Sequence, residues 1–122
     1  MRTAFVTMAN KRFAVGLSIL TYSIKKNAPL FWNHVDEKIL LTTDIDKHPD
    51  YKTVKVDPYS YRYWGSEKFA VNCCKLELFK FRDFDRIIFY EGDTLCLGEL
   101  DDLLSNKYFY GMLGELLNLM GA

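Results

Sequence analysis

The sequence has few cysteines, no excess of either charge and no long apolar run. Its three cysteines include the adjacent pair Cys73 and Cys74, which predicts no disulfide framework and favours a reducing, cytoplasmic setting. Sixteen basic residues balance sixteen acidic ones, so no basic stripe points to nucleic acid. The first residues lack the apolar core of a signal peptide, and no apolar run approaches a membrane span. We therefore expect a cytoplasmic protein without a nucleic-acid partner.

Several catalytic motifs are missing as well. The chain has no Gly-x-Gly-x-x-Gly, no Walker loop and no Gly-x-Ser-x-Gly nucleophile elbow. Cys73 and Cys74 do not have the spacing of zinc ligands. His34 and His48 lie in the stretches "FWNHVDEK" and "DKHPDYK", which we interpret as surface loops.

What the chain does have is the composition of one packed domain and an alternation of strand and helix patterns. Its 122 residues are 49% hydrophobic and 16% aromatic, which fits a single globule spanning residues 1–122. Short apolar runs rich in β-formers predict strands at 3–8, 38–43, 51–56 and 85–90. Helical patterns lie between them, so we expect an α/β domain with a mostly parallel sheet flanked by helices.

The first helix is predicted to begin with Asn10 as its N-cap and to end at the "NAPL" that follows Lys26. Its apolar stripe is Phe13, Leu17, Leu20 and Ile24. Further helices are predicted over residues 69–79, 98–106 and 111–122. The last is strongly apolar, with Leu113, Leu116, Leu117 and Met120 at i, i+3, i+4 and i+7. Such a helix either folds back onto the sheet or pairs with a second copy in a homodimer.

The stretch Glu91-Gly92-Asp93 follows the apolar run "RIIFY", at the predicted carboxyl end of a strand. Ligands of open parallel sheets bind at that edge. Two carboxylates repel each other there unless a cation lies between them, and a divalent ion carrying a diphosphate is a natural choice. Gly92 has no Cβ and allows close approach of a ligand. The alternative is an ordinary turn, with Asp93 capping the next segment of the chain.

The run "FYEGDTLCLGELDDLL" resembles glycosyltransferase family 8, the glycogenin-like and galactinol-synthase-like enzymes. There, a strand ends in Asp-x-Asp, followed by Thr-Leu-x-Leu and an Ile-Asp-Asp-Leu-Phe-like helix. The opening "TAFVTMANKRFAVGLSILTYSIKKN" is similar to the first strand and helix of the family, and Lys75 lies sixteen residues before Glu91, as the family's lysine does. The resemblance implies a Rossmann-like nucleotide-binding domain of the GT-A fold, a UDP-hexose donor, Mn²⁺ or Mg²⁺, and retaining hexosyl transfer to an unknown acceptor.

The resemblance also assigns a site. Phe13 stands where the family has a tyrosine stacked on uracil, Lys75 would be a point charge near the nucleotide, and Glu91 and Asp93 would bind the metal. The implied nucleotide-sugar site consists of Thr7, Met8, Asn10, Phe13, Val71, Lys75, Glu91, Gly92 and Asp93. From the residues alone, Met8, Val71 and Phe13 could equally be core, and Lys75 a solvated helix residue.

The chain departs from the family in two ways. Glu91 replaces the first aspartate, which lengthens that side chain by ~1.5 Å. Family members are also considerably longer, and the half that carries their acceptor site and a metal-binding histidine has no counterpart here. The alternatives are a non-catalytic nucleotide-binding or protein-interaction module, or a truncated fragment of a longer transferase.

Overall fold

In the part of the chain that the structure describes, four parallel strands form one sheet. The computed structural model describes residues 2–57, 77, 78 and 80–105. Its strands are β1 (Thr3–Met8), β2 (Glu37–Thr42), β3 (Lys52–Lys55) and β4 (Arg86–Glu91). All four lie where the apolar runs predict them: β1 has its predicted bounds, and the ends of the other three differ by one residue. The expected α/β architecture with a parallel sheet and flanking helices is confirmed.

The order of the strands is β3-β2-β1-β4, so the chain changes direction across the sheet at β1. Val6 of β1 pairs with Ile39 on one side and with Phe89 on the other. The path from β1 through β2 to β3 moves outward on one side, and β4 then adds to the opposite side of β1. In parallel sheets such a reversal leaves a crevice between the carboxyl ends of the two strands, here β1 and β4.

One face of the sheet is covered by two helices, α1 (Ala14–Asn27) and α2 (Pro29–His34). Leu17, Leu20 and Ile24 of α1 are buried against Phe5 of β1, and each stabilises the fold by about 1.5–3 kcal/mol relative to an exposed position. The ring of Phe31 from α2 meets Phe5 edge to face, with ring centroids 5.8 Å apart. Among the described residues, this face contains the larger of two buried apolar clusters.

The opposite face of the sheet is also buried. Ala4 and Val6 of β1 point to this side because successive side chains of a strand alternate. They pack with Ile39, Leu41 and Val56, and the segment around residues 77–84 covers them with Leu78, Phe81 and Phe84. Burial on both faces explains why β1, β2 and β4 carry apolar runs without alternation, whereas the edge strand β3 reads Lys-Thr-Val-Lys and is partly exposed.

The helices differ from the prediction in two places. The chain after Asn10 forms a short 3-10 helix, Lys11–Phe13, before α1 begins, and Phe13 is 55% exposed, so its place in the buried stripe was predicted wrongly. The "NAPL" sequence does end α1, but Pro29 then begins α2, a helix that the sequence did not suggest and one that contains His34.

The remaining helices are less fully described. The predicted helix at 98–106 is present in shorter form as α3 (Asp101–Ser105). The helices predicted at 69–79 and 111–122 fall almost entirely outside the described residues. Within the described part of the chain, no helix combines the length and the apolar character that a membrane span requires.

Candidate functional site

The candidate site lies where β1 and β4 end side by side. Met8 is the register partner of Glu91, and Thr7 is the partner of Tyr90. The two strands therefore end at the same level, and the loop after β1 faces the turn after β4. This position is the crevice at which the sheet order reverses. The structure thus brings Thr7 and Met8 next to Glu91 and Gly92. The two pairs are separated by at least 83 positions in the sequence.

Glu91 begins a tight turn. Its carbonyl oxygen accepts hydrogen bonds from the backbone N–H of Thr94 at 3.2 Å and from the Thr94 hydroxyl at 2.6 Å. The interpretation of Glu-Gly-Asp as turn chemistry is confirmed. Asp93 is exposed in this turn, but it does not cap a helix, since residues 94–100 form no helix and α3 begins only at Asp101.

Gly92 is buried and in close contact with the chain itself. A Cβ added to it would lie 2.9 Å from the carbonyl oxygen of Met8 and 3.2 Å from the Cβ of Ala9. A Cβ on Gly16, in the first turn of α1, would lie 3.2 Å from the carbonyl oxygen of Gly92. The missing side chains let α1, the end of β1 and the turn after β4 meet closely. Approach of a ligand to Gly92 stays a prediction, whereas close approach of the chain is observed.

Asn10 connects two strand ends and does not cap the helix. Its side-chain oxygen accepts hydrogen bonds from the backbone N–H and the hydroxyl of Thr43, both at 2.9 Å. Although Asn10 occupies the N-cap position, its side chain makes no capping bond, so that predicted role is wrong. Asp44 accepts the hydrogen bond from the Lys11 N–H instead, at 2.8 Å.

Sequence reasoning missed both Thr43 and Asp44 in this site. They follow β2 and lie 33 residues from their partners, so no local pattern joins them to the first loop. The available signal was indirect: polar residues follow the end of β2, next to β1, and the carboxyl ends of parallel neighbours meet at one edge.

The other residues assigned after β1 differ in accessibility. Thr7 is fully buried, and its hydroxyl has no hydrogen-bond partner within the described part of the chain. No part of Thr7, backbone or side chain, is accessible at the surface. Met8 is half-buried and packs on the opposite face, and Phe13 is exposed with the Arg12 guanidinium 5.7 Å from its ring centroid. Of these three residues, only Phe13 has a ring, and that ring is accessible to a planar ligand.

The donors expected for a metal are the carboxylates of Glu91 and Asp93. Both are oxygen ligands of the kind that Mg²⁺ and Mn²⁺ prefer, and such ions commonly take one or two protein carboxylates with the rest from phosphate and water. Among residues 2–57, 77, 78 and 80–105, no group of three or more His, Cys, Asp or Glu side chains could hold an ion. The chemistry of the donor pair fits a metal that is bound together with a diphosphate. Val71 and Lys75 lie outside the described residues.

A separate apolar cleft lies on the α1 face of the sheet. It has a volume of about 230 Å³ and is formed by α1 and the segment of residues 94–100. We call it the α1 cleft; its lining is mainly Leu20, Ile24, Tyr90, Leu95, Leu97 and Leu100. Burial raises the pKa of the Tyr90 hydroxyl above its ordinary value. Neither Glu91 nor Asp93 lines this cleft, so it is distinct from the crevice at the strand ends.

Comparison with known proteins identifies no family for the chain. No protein-family model matches the sequence, and none of the curated proteins compared with it matches either.

Proposed function

We propose that the protein binds a UDP-hexose at the crevice between the carboxyl ends of β1 and β4, through a diphosphate bridged by Mn²⁺ or Mg²⁺. The observation that carries this proposal is the pairing of Met8 with Glu91 at the point where the sheet order reverses. Two elements that resemble glycosyltransferase family 8 in sequence, the first strand with its helix and the Glu-Gly-Asp strand, are neighbours at that point. In this proposal the domain is Rossmann-like and of the GT-A type.

The nucleotide would be held mainly by the loop after β1. The exposed ring of Phe13 has an apolar face on which a uracil can stack, although it lacks the hydroxyl of the tyrosine that the family places there. Asn10 would line the ribose side of the crevice, held in place by its bonds to Thr43. Lys75 would supply a positive charge next to the phosphates, and Val71 would close the pocket. These roles rest on the resemblance to the family.

The metal would be held by Glu91 and Asp93. When bound, it supplies positive charge that offsets the diphosphate and stabilises the departing UDP. The turn beyond β4 contributes orientation, because the bonds from Thr94 to the Glu91 carbonyl fix its backbone. We assign no catalytic residue, and the acceptor is undefined. A cytoplasmic location is part of the proposal and rests on the cysteine content alone.

The second candidate is a module that acts through protein contacts. The observation that favours it is the number of large apolar side chains on the surface. On α1, Val15, Ile19 and Tyr22 are 75%, 53% and 65% exposed and share one face because they lie at i, i+4 and i+7. Exposed apolar groups that cluster in this way mark interaction sites. Such a module requires no nucleotide, so a binding measurement separates the two.

The experiment is a calorimetric titration of the whole chain with UDP, in Mn²⁺ and again in EDTA. We expect UDP to bind at least about tenfold more tightly with the metal, which corresponds to about 1.4 kcal/mol. ADP with Mn²⁺ is the matched control, since it carries the same diphosphate but a different base. Equal UDP affinity with and without metal would exclude the metal bridge. No binding of UDP under either condition would leave the protein-contact module as the better account.

A further inference from the structure

Helix α1 is apolar on both sides, which is unusual for a helix at a protein surface. Its inner side is buried against the sheet. Its outer side carries Val15, Ile19 and Tyr22, each more than half exposed, and we call these three residues the outer α1 face. A helix that is hydrophobic all round is ordinarily buried on all sides. The outer α1 face therefore has the chemistry of a surface that another molecule covers.

Positive charge lies at both ends of the outer α1 face. Arg12 is exposed three residues before Val15. Lys26 is exposed four residues after Tyr22, and its ammonium lies 5.9 Å from the Tyr22 ring centroid. Residues 11–27 include no acidic side chain, and within the described part of the chain neither Arg12 nor Lys26 belongs to an ion pair. A ligand that covers the face meets an apolar centre between two cations.

The position of these charges argues against a second copy of the chain. Arg12 and Lys26 both lie seven residues from Ile19, on opposite sides. Two copies of α1 packed antiparallel about a twofold axis at Ile19 would therefore place Arg12 of one copy opposite Lys26 of the other. Juxtaposed like charges weaken an interface. The complementary ligand instead has apolar residues at its centre and acidic residues at both ends.

The relief of the outer α1 face fits a helix. Val15 and Ile19 form a ridge, and the small side chains of Ala14 and Ser18 form a parallel row beside it. The Ser18 hydroxyl donates to the Ala14 carbonyl at 3.0 Å, so covering this exposed serine leaves no donor unsatisfied. Side chains of a second helix pack into such a row of small residues beside a ridge. The strip is narrow, like a helix-packing seam, whereas a helix in a lipid surface presents a broad apolar sector.

We propose that the outer α1 face binds an amphipathic helix of another protein, whose acidic residues lie opposite Arg12 and Lys26. The apolar anchors of that helix recur at three and four residues, as in other complexes in which a helix docks by its apolar face. The inference rests on the protein-contact function, the second candidate, and specifies its partner. Its test contains neither UDP nor a metal ion, so its failure is distinct from a failure of the nucleotide site.

The test is a fluorescence-anisotropy titration of two stapled helical peptides with the whole chain. Each peptide has 14 residues, the length of α1, and leucines at i, i+4 and i+7. One has glutamates at both ends and the other has lysines. We expect the acidic peptide to bind at least about tenfold more tightly than the basic one, and Lys26→Glu should reduce this preference.

Substitutions locate the binding surface. Ile19→Ser should weaken binding of the acidic peptide by at least about tenfold, because it removes the central anchor of the face. Leu97→Ser is the matched control, since Leu97 is 82% exposed and lies outside the face, and it should leave the affinity unchanged. Absence of binding by the acidic peptide, or binding that Ile19→Ser does not weaken, would overturn the proposal.

Other results would assign the face to a different occupant. Tighter binding of the basic peptide would overturn the acidic partner and leave a protein contact of another charge. Cosedimentation of the chain with phosphatidylserine vesicles, lost in Ile19→Ser, would overturn the proposal in favour of an anionic lipid surface. A dimer in sedimentation equilibrium that Ile19→Ser dissociates would overturn it in favour of a second copy.

Discussion

The carbonyl oxygen of Gly92 lies so close to α1 that a methyl group on Gly16 would come within 3.2 Å of it. Gly92 also contacts the end of β1: a Cβ added to Gly92 would lie only 2.9 Å from the carbonyl oxygen of Met8. Two glycines thus allow a helix, a strand end and a turn to converge at one point. The shape of the crevice depends on this contact.

Gly92→Ala should therefore destabilise the protein by about 1–3 kcal/mol, because its methyl group has to displace backbone atoms. Gly98→Ala is the control, since a Cβ there meets nothing within 4 Å. That variant should be neutral or more stable by about 0.4–1 kcal/mol, as its unfolded chain loses conformational freedom. Urea unfolding of both variants checks the difference. Equal stability of the two would show that the contact at Gly92 relaxes without cost.

Thr7 provides a test of a buried hydroxyl without a partner. Its Oγ1 makes no hydrogen bond within the described part of the chain, so Thr7→Val should raise the free energy of unfolding by about 1 kcal/mol. Thr21→Val should lower it by a similar amount, because the Thr21 hydroxyl bonds the Leu17 carbonyl and the Tyr51 hydroxyl, both at 2.8 Å. Chemical unfolding measures both. Loss of stability in Thr7→Val would indicate that its hydroxyl is satisfied in solution.

Tyr51 predicts a stability change at alkaline pH. Burial is the main cause that raises the pKa of its hydroxyl to about 12, from an ordinary value of 10.0. Because the folded state holds this proton more tightly, the stabilisation is complete below pH 10 and is lost as the pH rises through 12. The loss should reach roughly 2–3 kcal/mol.

Urea unfolding between pH 9 and pH 12 gives the measurement. Tyr51→Phe should flatten the alkaline fall, whereas Tyr22→Phe, at a position that is 65% exposed, should leave it as in the wild type. An alkaline fall of the same size in Tyr51→Phe would assign it to other groups, such as the lysines.

Substitutions of the two carboxylates test the proposed metal site. Asp93→Ala should weaken UDP binding in Mn²⁺ by at least about tenfold, or about 1.4 kcal/mol, because it removes a metal ligand. Glu91→Asp should retain binding, since aspartate is the residue that the resembled family has there. Glu99→Ala removes an exposed carboxylate of the neighbouring segment and serves as the charge-matched control. If Glu91→Asp abolishes binding while Glu99→Ala does not, the alignment with the family motif is incorrect.

The sequence predicted the sheet well because apolar runs bounded by polar residues identify buried strands directly. β1 was predicted with its observed bounds, Thr3–Met8. Helix starts were harder to predict. In the sequence, Phe13 fits the 3.6-residue period of the α1 stripe. In the structure, Lys11–Phe13 forms a 3-10 helix with three residues per turn, which rotates Phe13 out of the buried stripe. Pro29 was interpreted as a stop signal, although proline is also favoured at the first position of a helix.

The candidate site was only partly predictable, because most of its contacts join distant segments. The bond from Thr43 to Asn10, and the contact of Gly92 with Met8, connect residues that are far apart in sequence. Local sequence patterns assigned Asn10 to capping and Gly92 to ligand approach, since both are ordinary uses of those residue types. The partners that actually engage them could be found only once the strand order was known.

The most direct test of the proposed nucleotide site is the effect of Mn²⁺ on the backbone amide signals of the ¹⁵N-labelled chain in the presence of UDP. Substoichiometric Mn²⁺ should broaden the signals of Gly92 and Asp93 first, together with those of residues 8–10 at the end of β1, whereas Mg²⁺ should shift but not broaden them. Broadening that is strongest elsewhere, for example near the exposed Asp46, or no broadening beyond that of Mn²⁺ without UDP, would contradict a metal-bridged nucleotide between β1 and β4.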